Sequence, residues 1–216
     1  MVAIKATALL SLLAVVSAAP LEARQREPDF TQKNDYTTLM TLDAVKPVPN
    51  SAVPWNDGSI NANHNKFYIG QKSLVECVPN QPCDKTPSKA GFLLYHTQNI
   101  LSLNVDVLGK QQVYIDDKGA LSYLIPRDPL PTLRTKADDW HLVDRADYVF
   151  YNQQVNIWWA CPPTAATKTT GPWQIFADTR QVIVKDSDVP SGKKADCTIF
   201  NLKPNFYNPL WYNNGN

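Results

Sequence analysis

The chain has 216 residues, with 21 Lys and Arg against 20 Asp and Glu, a formal net charge of +1. Such a balance gives no basic excess to hold nucleic acid or an anionic membrane surface, so neither is an expected partner. A length of this order suits one domain with a sizeable core.

The first 18 residues read as a secretory signal peptide. Lys5 supplies the positive charge, Ala6 to Val16 is apolar apart from Thr7 and Ser11, and Val16-Ser17-Ala18 offers small residues for cleavage. The apolar run is too short to span a bilayer as a mature helix. Its removal takes Lys5 and leaves 20 basic against 20 acidic residues, a net charge of zero. The polar end, Trp211-Tyr212-Asn213-Asn214-Gly215-Asn216, lacks the hydrophobic tail of a lipid-anchor signal. No Asn-x-Ser/Thr sequon occurs, so N-linked glycans are not expected, while the Thr cluster at 164–170 is open to O-linked sugar. The four cysteines, Cys77, Cys83, Cys161 and Cys197, form an even set in a secreted chain and imply two disulfides, with three connectivities open. Their spacing does not suit zinc, and neither metal nor cofactor is expected.

Residues 19–34 are polar, carry Pro20 and Pro28, and read as a flexible leader; the β-domain is expected over 35–203 and a tail over 204–216. From Tyr36 onward the pattern is period-two. Strands are expected at Thr38–Val45, Lys66–Ile69, Gly91–Tyr95, Leu101–Val107, Val113–Ile115 and Leu121–Ile125. Others are expected at Trp140–Val143, Tyr148–Tyr151, Val155–Ala160, Trp173–Ala177, Gln181–Lys185 and Thr198–Leu202. Residues 100–125 read as a three-stranded meander turning at Asp116-Asp117-Lys118-Gly119. The Asn-rich stretch Asn61 to Asn65 reads as a loop with a solvated His64, and Leu133–Val143 allows at most one helical turn. Many short strands with Pro and Gly between them predict an all-β single domain, a β-sandwich or closed barrel of about 10 antiparallel strands, with a β-trefoil as the alternative.

Catalytic signatures are sparse. No G-x-S-x-G elbow serves His64, His96 or His141. The adjacent pairs Asp116/Asp117 and Asp138/Asp139 suit turns and solubility better than paired acid catalysis, because neighbours on a strand face opposite ways. No catalytic residue is nominated. Aromatic faces suit the apolar side of sugar rings. Strand alternation sets Val155, Ile157 and Trp159 on a core face and Trp158 on the other, so Trp158 is the expected stacking platform, with Trp55 and Trp211 in reserve.

Ordered blocks from Tyr36 to Leu202 resemble one family. Lys66-Phe67-Tyr68-Ile69-Gly70 resembles its K-F-aromatic-x-G step. Gln111-Gln112-Val113-Tyr114-Ile115-Asp116, followed by Gly119-Ala120-Leu121-Ser122-Tyr123, resembles its Q-Q-x-Y-V-D turn and G-x-L-x-Y/F. Ala160-Cys161-Pro162, Trp173-Gln174-Ile175-Phe176-Ala177 and Asp196-Cys197 are similar to its A-C-P, W-x-[VI]-[FWY]-A and late D-C. Lys110 stands where the family has glycine, and the tail has no counterpart. The family is that of fungal secreted IgE-binding and PhiA-type cell-wall proteins. The resemblance implies a non-enzymatic extracellular or wall-associated protein, with wall polysaccharide as the expected partner and with Cys83, Cys161 and Cys197 on family-like positions. The competing expectations are a soluble carbohydrate-binding module or secreted effector, then a polysaccharide hydrolase. Because Cys161 ends one strand and Cys197 opens the last, the expected bridges are Cys161–Cys197 and Cys77–Cys83.

Overall fold

The computed structural model describes residues 37–47, 52–74, 89–105, 111–124, 139–143 and 149–206. They carry twelve strands: β1 (Thr37–Val45), β2 (Ile60–Asn63), β3 (Lys66–Ile69), β4 (Phe92–Tyr95), β5 (Ile100–Leu103), β6 (Val113–Ile115), β7 (Leu121–Tyr123), β8 (Trp140–Val143), β9 (Val149–Asn152), β10 (Val155–Cys161), β11 (Trp173–Thr179) and β12 (Thr198–Phe206). Short 3₁₀ turns are the only helical elements among the described residues. The expected signal peptide and leader lie outside them, as do Cys77, Cys83, Trp211 and Asp138.

Ten strands form one antiparallel sheet in the order β5-β4-β1-β12-β10-β11-β3-β7-β6, with β2 added on β3. β12 makes this sheet a sandwich. Its first residues, Thr198–Phe200, pair with β10, and Asn201–Phe206 pair with β1. One strand therefore belongs to both layers. The core between them takes Met40, Leu42, Phe92, Leu94 and Leu101 from one layer, and Phe67, Ile69, Trp158, Trp173, Ile175 and Leu121 from the other. The far edges, β5 and β6, meet through one bridge, Ser102 with Gln112, so the sheet is not closed into a barrel. A trefoil needs a threefold repeat of one unit, and a continuous sheet of this order has none. The hairpin of β8 and β9 forms a separate two-stranded sheet, and Trp140 from it is fully buried, stacked 6.0 Å from Trp158.

Several expectations change. The meander reduces to the β6–β7 hairpin, because β5 pairs with β4. β5 ends at Leu103, where the Asn104 N–H turns to the Gly91 carbonyl, 2.8 Å away. Of the stretch Asn61 to Asn65, expected as loop, Asn61 to Asn63 lie on the buried strand β2 and only His64 and Asn65 form a turn. Asn is a poor strand residue, but the Asn61 amide donates to the Ser59 carbonyl and its oxygen accepts from Ser73 Oγ at 2.9 Å. Gln181–Lys185, expected as a strand, pairs with no strand. Thr179 Oγ1 accepts the N–H groups of Gln181 and Val182, and Asp178 Oδ1 accepts that of Val184, so side chains replace the ladder. β12 also continues to Phe206, past the expected start of the tail at 204.

Segment 180–197 folds back over the outer face of the sheet. It seals a second, smaller core of Ala120, Cys161, Phe176, Val184 and Val189, with Trp159 and Cys197 against it. Gly119 permits this closeness. Its φ of +85° suits glycine, and a Cβ there would stand 2.6 Å from Val184 Cγ2 and 2.8 Å from the Ala177 carbonyl oxygen.

Candidate functional site

The Trp158-Trp159 pair is reversed from the sequence expectation. Trp158 is 6 % exposed and belongs to the main core, while Trp159 lies half-buried on the outer face. The cause is a bulge. Val155 pairs with Thr179 and Ile157 with the next residue, Asp178, so two steps along β10 meet one along β11. One extra residue moves every following side chain to the other face. Trp55, the second candidate platform, is 7 % exposed. Its ring meets Trp173 at 5.4 Å and Phe200 at 6.1 Å edge-on, and its Nε1–H donates to the Ala44 carbonyl at 3.0 Å. Neither Trp158 nor Trp55 offers a face to a sugar.

Trp159 is held rather than presented. Its Nε1–H donates to Asp178 Oδ2 at 3.0 Å, and Lys194 Nζ sits 4.6 Å from its ring centroid. Lys194 also reaches both Asp178 oxygens, at 3.0 and 2.8 Å. The expected Cys161–Cys197 bridge is present, with Cα atoms 4.2 Å apart, and joins the end of β10 to the residue before β12. The disulfide, the Asp178–Lys194 pair and the small core together fasten segment 180–197 to the sheet.

Beside that segment a cleft of about 290 Å³ opens on the outer face. Lys66 comes from β3, Asp116, Asp117, Lys118 and Ala120 from the β6–β7 turn, Gln174 and Phe176 from β11, and Asp188 from the 3₁₀ turn at Asp186–Asp188. Asp116 belongs to the fold. Its Oδ1 accepts the N–H groups of Lys118 and Ala120, at 3.0 and 2.8 Å, and its Oδ2 pairs with Lys66 Nζ at 2.6 Å. Lys66 further donates to Ser122 Oγ at 2.8 Å. The groups left to meet a ligand are the Gln174 amide, the Asp117 carboxylate and the Lys118 ammonium, none of whose side chains is hydrogen-bonded among the described residues. Tyr68, paired with Gln174 across β3 and β11, has its hydroxyl pushed up in pKa by burial and by the nearby Tyr123 phenol, so it stays a neutral donor.

Asp139 and His96 serve the fold. Asp139 accepts from Gln154 Nε2 at 2.7 Å. His64 is exposed in the β2–β3 turn. His96 Nε2 lies 2.8 Å from Thr38 Oγ1, and burial pushes its pKa down. Among the described residues, no cluster of three or more His, Cys, Asp or Glu side chains suits a metal. Sequence reasoning found the Asp116 turn but not the cleft, because Lys66, Gln174 and Asp188 are far apart in the chain and only sheet pairing unites them.

No curated protein and no solved structure matches the chain. A family model described as PhiA-like secreted protein matches residues 48–209, three quarters of the chain. That span contains the β2–β3 hairpin, the β6–β7 turn, β10, β11 and the Cys161–Cys197 bridge, so the frame that builds the cleft lies within the match. The chain belongs to the PhiA-like secreted proteins and is an extracellular protein.

Proposed function

We propose that this is a non-enzymatic, cell-wall-associated structural or interaction protein of a fungus, and that it meets wall polysaccharide at the outer-face cleft. The observation that carries this reading is the composition of the cleft within the family-matched span. Three carboxylates, two ammonium groups and one amide line it, so the charges nearly cancel. Mixed donors and acceptors of that kind suit a neutral, hydroxyl-rich ligand better than an ion, and the Phe176 and Ala120 floor supplies a little apolar contact. Asp116, the carboxylate with the most hydrogen-bond partners there, is occupied in holding its turn, which argues for binding over bond cleavage.

Wall association is tested by fractionating a culture that expresses the full chain. Retention in the salt-washed wall, with release by glucanase or chitinase, supports the reading. Full recovery in the medium contradicts it and favours a soluble module. Absence of turnover on β-glucan and chitin is the accompanying expectation, and measurable hydrolysis would replace this reading with the hydrolase.

A further inference from the structure

Between Cys161 and Trp173 the chain carries Pro162, Pro163, Pro172 and four threonines. The loop divides those threonines into two pairs. Thr164 and Thr167 use their hydroxyls internally. Thr167 Oγ1 donates to the Thr164 carbonyl at 3.0 Å, accepts the Thr164 N–H at 3.2 Å and lies 3.2 Å from Thr164 Oγ1. Thr169 and Thr170 are exposed, and neither side chain makes a hydrogen bond among the described residues.

The loop that presents them is anchored. The N–H groups of Thr170 and Gly171 donate to the Thr167 carbonyl, at 3.1 and 2.9 Å. Trp173, whose ring belongs to the main core, donates its Nε1–H to the Lys168 carbonyl at 3.1 Å. Lys168 Nζ reaches the Ala195 carbonyl at 3.3 Å. Two adjacent free hydroxyls therefore stand on a fixed, Pro-flanked loop of a secreted protein, where secretory glycosyltransferases meet it.

We propose that Thr169 and Thr170 are O-glycosylation sites, each accepting a hexose from a sugar-phosphate donor. In the transfer, the threonine Oγ1 attacks the anomeric carbon and forms the new C–O bond. The bond from that carbon to the donor phosphate breaks, the phosphate leaves with its carrier, and the hydroxyl proton passes to a base of the transferase. A sugar on Thr167 would displace the bonds that shape the loop, whereas sugars on Thr169 and Thr170 displace none. Thr- and Pro-rich segments carry such sugars in other secreted chains. This inference is independent of wall binding and requires only secretion.

The test is intact-mass analysis of the full chain secreted from a fungal host, with fragmentation mapping of the 162–172 peptide. No N-linked sequon exists, so hexose mass reports O-linked sugar directly. The wild type is expected to show a ladder of hexose increments mapping to Thr169 and Thr170. Thr169→Val/Thr170→Val should lose the ladder, and Thr164→Val, which leaves the Thr167 bonds to the Thr164 backbone in place, should keep it. If the first double variant fails to be secreted, mapping of the wild type decides. A single unmodified mass, or sugar placed only on other residues, overturns the proposal.

Discussion

Lys194 lies over the Trp159 ring, 4.6 Å from its centroid, while its ammonium also pairs with Asp178 at 2.8 Å. Asp178 in turn accepts the Trp159 Nε1–H and the Val184 N–H. The carboxylate is the hub of this cluster, and its side chain is 8 % exposed against 21 % for Lys194. Removing the hub strands three donors; removing the lysine leaves the carboxylate two. Asp178→Ala should therefore cost about 3 kcal/mol and Lys194→Ala about 1 kcal/mol. Urea unfolding of both variants measures the difference, and equal losses would contradict the hub assignment.

The two tryptophans give a second contrast. Trp158→Ala should lose about 3–5 kcal/mol, as large aromatic truncations in cores do. Trp159→Ala should lose about 1–2 kcal/mol, from the cation contact and one hydrogen bond. The reverse order in thermal or urea unfolding would mean that β10 has no bulge.

The Cys161–Cys197 bridge closes a loop with a sequence separation of 36. On the chain-entropy model that contributes about 3–4 kcal/mol. Cys161→Ser/Cys197→Ser should lower stability by that amount, read by urea unfolding without reductant. A loss below about 1 kcal/mol would mean that the Asp178 cluster and the small core fasten segment 180–197 without it.

Residues with a local signature were legible in the sequence. Alternation located β1, β3, β6, β8 and β12 to within a few residues, and the disulfide followed from the strand ends that bear its cysteines. Failures arose where a side chain substitutes for a backbone partner, or where spacing shifts by one residue. Asn61 and Ser73 make a strand of an Asn-rich stretch, and Asp178 and Thr179 dissolve an alternating one. The bulge before Trp158 reverses the reading of the pair because alternation assumes an unbroken register. The cleft was not legible, since its lining comes from two strands, β3 and β11, and two turns that are distant in sequence.

His96 makes stability depend on pH. Burial disfavours its charged form, so its folded pKa lies below the ordinary histidine value of 6.5. As pH falls through that value, the unfolded chain takes up the proton first and stability drops; the loss is complete below the folded pKa. Thermal melts from pH 7.5 down to pH 5 should show this decline, and His96→Gln should flatten it. An unchanged slope in the variant would assign the decline to other groups.

Binding at the outer-face cleft is tested most directly by co-sedimentation of the full chain with insoluble β-glucan and with chitin, comparing wild type with Asp117→Ala/Gln174→Ala. Neither side chain makes a hydrogen bond among the described residues, so the variant should melt like the wild type. The account predicts that the wild type pellets with at least one of the polymers and that the variant loses about tenfold in affinity, the effect of 1.4 kcal/mol. Equal pelleting of both proteins, or of neither, would contradict it.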